Sequence, residues 1–184
     1  MKEDSQLYFV AIVPDNKTVE KISILKDIFS ENYNSKASLN SLPHITLHMP
    51  FWWRDKKIDF LIKLLSRIAE ESHDFGIQLK GFGSFPPKAI FLEVEENDKL
   101  NKLQNKIKTS FRRELKLMNS NYKDQAFHPH ITLAFRDLSK EKYQKAWAKF
   151  KDQNFEGSFN ANSLLLLKHD GKRWEKDREF PFKF

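Results

Sequence analysis

Pro43-His44-Ile45-Thr46-Leu47 and Pro129-His130-Ile131-Thr132-Leu133 are the same five residues, placed 86 positions apart in a chain of 184. Self-similarity at a fixed offset marks an internal repeat. Read as strands, the copies send alternate residues to opposite faces. In the first copy Ile45, Leu47 and Met49 share one face and His44, Thr46 and His48 the other. In the second, Ile131, Leu133 and Phe135 oppose His128, His130, Thr132 and Ala134. Packing accounts for the isoleucines and leucines. It does not account for a His-x-Thr pair on the opposite face of both copies. Two titratable imidazoles and two hydroxyl donors suit proton transfer at a phosphate.

Strands and helices alternate around the repeats. Residues 7–13 are a near-continuous apolar run ended by Pro14, the pattern of a buried strand. Asp15 or Asn16 then caps a helix to about Asn32, with Val19, Ile22, Leu25, Ile28 and Phe29 on its apolar stripe. Helices are also expected over 59–71 (Phe60, Leu61, Leu64, Leu65 and Ile68 inward), from Asp98 to about Leu117, and over 140–151. Strands are expected at 75–82, 89–95, 155–159 and 163–168, with polar loops at 32–40 and 119–125. Asp170-Gly171 reads as a two-residue hairpin turn. Hairpins are present, no glycine-rich phosphate loop follows any strand, and no linker divides the chain. The expectation is an α+β fold in a single bilobal domain over residues 1–184, a pseudo-two-fold duplication. Two antiparallel sheets would line a central cleft, with helices outside.

The chain lacks cysteine, which excludes disulfides, thiolate zinc sites and cysteine nucleophiles. No apolar run approaches the ~20 residues of a membrane helix, and no signal-peptide pattern opens the sequence. The expectation is a cytoplasmic monomer with no membrane association. Lys and Arg exceed Asp and Glu by 32 − 25 = 7, a surplus that favours anionic partners or simply gives a solvated surface. Metal binding is the rival reading of the histidines. His44 and His48 would be ~13 Å apart on one strand and cannot chelate together. His128 and His130, ~6.6 Å apart by the same rise, form a His-x-His pair, but no carboxylates accompany both copies. No metal and no cofactor is expected.

The paired motifs resemble the two-histidine (2H) phosphoesterase superfamily, in particular its 2′-5′ RNA ligase-like branch. The likeness extends over the first strand (8–12), the Phe85-Pro86-Pro87 crossover into 90–94, the second motif from Phe127 to Ala134, and the closing segments through Trp174 and Phe180-Pro181-Phe182. The resemblance implies metal-independent hydrolysis of RNA 2′,3′-cyclic phosphate ends to 2′-phosphates, and in some members 2′-5′ ligation. It makes His44 and His130 the catalytic pair and Thr46 and Thr132 the phosphate-binding pair. In one arrangement neutral His130 is the base and protonated His44 the acid, with the labels exchangeable by motif symmetry. Arg136, His128 and Phe51 are further substrate contacts. Many members place an arginine where Phe135 stands here; Arg136 follows it and would share the His130 face by alternation. Trp52, Trp53 and Tyr8 are candidates to stack on a base. Two alternatives stay open: a phosphodiesterase acting on a small cyclic nucleotide, and a basic RNA-binding module without turnover.

Overall fold

The computed structural model describes residues 4–118 and 126–183; the loop expected at 119–125 lies outside the described residues. Eight strands follow the order β1 (Ser5–Ile12), β2 (Ile45–Arg54), β3 (Phe75–Phe85), β4 (Ala89–Val94), β5 (His130–Phe135), β6 (Glu156–Ala161), β7 (Ser163–His169) and β8 (Trp174–Pro181). The helices are α1 (Asn16–Tyr33), α2 (Ile58–Glu70), α3 (Asp98–Ser110), continued by a wide π-helical turn at Phe111–Leu115, and α4 (Lys140–Phe150). Among the described residues no helix is long and apolar enough to cross a membrane.

The strands form one curled antiparallel sheet in the order β6-β3-β4-β5-β2-β1-β7-β8. Its two four-stranded halves meet at a single paired position, Ile45 opposite Ile131, so the two expected sheets are joined by one bridge. The lobes are also not the two halves of the sequence. The first motif's lobe takes β1 and β2 from the start of the chain and β7 and β8 from its end. The second motif's lobe is the middle of the chain, β3 to β6. Helix α1 leaves its own lobe to pack on β5 and β6, while α2 packs on β7 and β8. The lobes therefore interlock and share one core.

That core lies on one face of the sheet. Tyr8, Val10 and Ile12 of β1 join residues of all four helices in the large cluster. Their alternates Phe9 and Ala11 form a small cluster with Leu165 and Leu167 on the opposite face. The cleft occupies this second face.

Helix starts follow the capping chemistry. Asp15 accepts from the Thr18 amide at 2.9 Å, and Asn97, one residue before the expected Asp98, accepts from the Leu100 amide at 3.0 Å. Asn34, in the left-handed conformation, closes α1. Two inward assignments change. Phe60 is exposed, and α2 buries Ala69 together with Leu61, Leu64, Leu65 and Ile68. Helix α1 buries Lys26 between Ile22 and Phe29. The Asp170-Gly171 turn is a four-residue loop, because His169 pairs with Trp174 and the Asp170 carboxylate accepts from the amides of Lys172 and Arg173.

The repeats depart from simple alternation in the same way. The β1–β2 register steps by one residue between Val10–His48 and Ala11–Thr46. The β4–β5 register steps likewise between Ile90–Ala134 and Phe91–Thr132. Each motif strand thus carries an extra residue just after its threonine, Leu47 in one and Leu133 in the other. A bulge exchanges the faces of everything beyond it. His48 and Ala134, expected beside the histidines, lie in the core, whereas Met49 and Phe135, expected in the core, line the cleft. Pro50, which has no amide to donate, follows at a second register step in β2.

Candidate active site

The cleft encloses about 400 Å³ and is lined by His44, Thr46, His130 and Thr132, so the structure brings the four repeated side chains together. Each histidine is held in the same way. The His44 Nδ1–H donates to the Leu42 carbonyl at 2.6 Å and the His130 Nδ1–H to the His128 carbonyl at 2.7 Å. A carbonyl can only accept, so Nδ1 carries the proton in both neutral rings and Nε2 is left available to the cleft. Each ring also packs on a phenylalanine of the neighbouring strand. Phe9 lies 4.8 Å from His44, tilted 47°, and Phe91 lies 4.6 Å from His130, tilted 43°. The duplication therefore extends to the positioning of each imidazole, beyond the five repeated letters.

Both imidazoles favour the neutral form. Burial lowers the His44 pKa from 6.5 to about 4, opposed by the Leu42 bond and assisted by the charges of Lys26 and His130. Burial also lowers the His130 pKa, against the pull of its own carbonyl partner, with His128 pushing the same way as burial.

Arg136 lines the cleft with His130, as expected, but the bulge at Leu133 changes how it gets there. Its backbone is left-handed, φ 57°, and the Asp137 amide donates to the Phe135 carbonyl at 2.7 Å, closing a tight turn. The guanidinium lies 5.0 Å from the centre of the Phe135 ring, and both residues line the cleft. The same turn aims Asp137 at the other lobe. Its carboxylate accepts from Ser35 Oγ at 2.8 Å, from the Lys36 amide at 2.7 Å and from the Ala37 amide at 2.8 Å. The loop at 35–41 is thereby fixed as one wall of the cleft.

The remaining expected contacts fall elsewhere. Phe51 is buried in the core against Tyr8, His48 and Phe111; the two register steps in β2 cancel and leave it on the face of Ile45. Tyr8 is buried with it, Trp52 is exposed, and the Trp53 indole donates to the Lys57 carbonyl. His128 is exposed, with Nε2 3.0 Å from a Glu93 carboxylate oxygen and its ring 6.0 Å from that of His130. It acts through its backbone carbonyl on His130. Among the described residues no group of three or more His, Asp and Glu side chains is arranged to hold a metal ion.

Sequence reading missed the aromatic lining. Phe9, Phe85, Phe135 and Trp174 line the cleft, Trp174 edge-on to Phe9 at 4.6 Å. Phe9 was legible as the alternate neighbour of Tyr8; Phe135 depended on the bulge and Trp174 on the longer hairpin. Lys26 also lines the cleft, although helical periodicity gives no sign of a buried cation there.

A curled antiparallel sheet presenting two mirrored His-x-Thr strands to one cleft defines a phosphoesterase of the two-histidine class. The profile of the 2′-5′ RNA ligase superfamily matches residues 13–173, and the chain belongs to that family. Among curated relatives, a candidate phosphoesterase of Geobacillus sp. (strain WCH70) is 30% identical over 168 residues, 89% of this chain and 90% of the relative. Among solved structures, E. coli LigT complexed with 3′-AMP superposes with a TM-score of 0.73 at 20% identity, covering 98% of this chain and 99% of LigT. The TT0787 protein of Thermus thermophilus gives 0.72 at 19% identity, covering 96% and 97%. At these identities the two structures establish a shared fold.

Proposed function

We propose that the protein hydrolyses RNA or nucleotide 2′,3′-cyclic phosphates to 2′-phosphates by paired-histidine acid–base catalysis without a metal. The observation that carries this reading is the mirrored Nδ1–H···O=C bonding, which leaves two Nε2 atoms and two threonine hydroxyls to one cleft. In this reading the cyclic phosphate sits between the histidines. One Nε2 takes a proton from water as its oxygen bonds to phosphorus. The other Nε2–H gives its proton to the ribose 3′-oxygen as the P–O3′ bond breaks. Thr46, Thr132 and Arg136 donate to the non-bridging oxygens, where charge accumulates. Burial disfavours protonation of both rings, but the Lys26 charge bears on His44 and favours His44 as the base and His130 as the acid, the reverse of the labelling set out from sequence. With a 5′-hydroxyl in place of water, the same groups form a 2′-5′ linkage.

The aromatic walls support a nucleotide over a bare cyclic phosphate, since base faces stack on such side chains at ~1–3 kcal/mol each. The test is an oligonucleotide ending in a 2′,3′-cyclic phosphate, incubated with the protein in EDTA and the product isomer identified. A 2′-phosphate product is expected. Salt-sensitive RNA binding with no turnover would replace this reading with that of a binding module.

A further inference from the structure

The cleft holds a cation to which the proposed reaction assigns no contact with substrate. Lys26, on α1, is 3% exposed. Its Nζ donates to the Ser38 and Ser41 carbonyls at 2.8 Å each. An ammonium has three N–H donors, and among the described residues no third acceptor and no carboxylate ion pair completes its shell. A buried cation without a counter-charge is costly to hold. Beside it, Ser38 is 2% exposed and its Oγ has no hydrogen-bond partner. Lys26, Ser38, Asn40 and Ser41 all line the same cleft as His44. The Asp137 carboxylate holds the backbone of this loop from the opposite lobe, so the group is rigidly mounted. Burial lowers the Lys26 pKa to about 8, which leaves it protonated at neutral pH.

We infer that Lys26 and Ser38 form a second anion subsite, next to the His44 side of the cleft, that binds the 5′-phosphate of the nucleotide whose cyclic phosphate lies between the histidines. This rests on the reading of the cleft as a nucleotide phosphoesterase site. The chemistry is that of one ammonium proton and one hydroxyl proton offered to phosphate oxygens. Within one nucleotide, the 5′-phosphate is the anionic group on the far side of the ribose from the reacting one. Such a subsite would distinguish the end of an RNA chain, or a 5′-phosphorylated nucleotide, from a plain nucleoside cyclic phosphate. In the basic groove between α2 and α3, by contrast, Lys106 pairs with Glu71 and both Arg67 and Arg113 pair with Glu114.

The test compares the binding of adenosine 2′,5′-bisphosphate and adenosine 2′-monophosphate by calorimetry at pH 7. The wild-type protein is expected to prefer the bisphosphate about tenfold. In Lys26→Met that ratio falls towards one, and Ser38→Ala lowers it in part. Equal wild-type affinities overturn the subsite, as does a preference that persists in a folded Lys26→Met protein. Should Lys26→Met fail to fold, Ser38→Ala decides, because it removes only an unpaired buried hydroxyl; an unchanged ratio there also overturns the inference. A wild-type protein that shows the preference yet hydrolyses no cyclic phosphate retains the subsite and loses the reaction assignment.

Discussion

The burial of both imidazoles sets a specific pH dependence. A free imidazole is half protonated at pH 6.5, but with His44 held at about 4 roughly one molecule in 300 carries the proton there. His130 is displaced in the same direction. The proposed mechanism needs one neutral and one protonated imidazole, and the two charges interact, so the pair titrates with two apparent values. For the free enzyme both lie below 6.5, which puts the maximum of kcat/KM below pH 6.5. Bound substrate brings an anion between the rings and favours their protonation. The kcat profile, which reports the complex, therefore lies at higher pH than the kcat/KM profile. The assay is hydrolysis of a nucleoside 2′,3′-cyclic phosphate at subsaturating and saturating concentration, with enzyme held at pH 7.5 and diluted into each buffer. A subsaturating optimum at or above pH 7, or two superimposable profiles, would refute the claim that burial governs these histidines.

Three other outcomes are expected. His44→Ala and His130→Ala each lose about 10²–10⁴ in kcat, and Thr46→Val and Thr132→Val lose about 10²–10³, with cooperative melting retained; full turnover in either histidine variant rules out the pair. Gly83→Ala, which touches no substrate, forces a Cβ to within 2.4 Å of the Phe91 ring and 2.1 Å of Glu93. It is expected to destabilise by about 1–3 kcal/mol and to slow turnover by moving the ring beneath His130, read from denaturant midpoints and kcat. His48 is neutral in the core, 1% exposed with Nε2 unpartnered, and burial lowers its pKa below 6.5. The unfolded state then binds the extra proton, so this contribution to stability is complete above pH 6.5 and declines as pH falls below it, by up to about 1.4 kcal/mol per unit. His44 and His130 add losses of the same sign, so His48→Leu is expected to make that decline shallower in urea titrations, and an identical decline would exclude a contribution from His48.

The strands and helices were legible because most of them follow local rules. Asp15 caps α1 and the 3.6-residue stripe of α2 is buried, while the apolar run at 7–13 is a central strand. The four catalytic candidates were legible because duplication separates chemistry from packing: a lone His-x-Thr pair is ordinary, and two at one offset are not. What failed was strict alternation. It put His48 with His44 and Thr46, and Met49 and Phe135 in the core, and the inserted residues Leu47 and Leu133 reverse each assignment. Phe51 is a different case: its aromatic ring made it a candidate contact, and because the two register steps in β2 cancel, it stays on the core face it shares with Ile45. A bulge is settled by pairing with a neighbouring strand, which no single strand's letters record.

By itself the sequence determined the elements, the repeat and the four repeated polar groups that line the cleft, since propensity, periodicity and chemical type are carried by neighbouring residues. Tertiary structure alone decided which strands share a lobe, that β7 and β8 return from the chain end to complete the first, and that α1 crosses to cover the second. It decided the ionisation of the histidines, because desolvation depends on what surrounds a ring in space. It also placed Lys26, from a helix 18 residues before His44 in the chain, in the same cleft. That cation became part of the site only when the sheet curled and the loop at 35–41 was fastened across the lobes by Asp137.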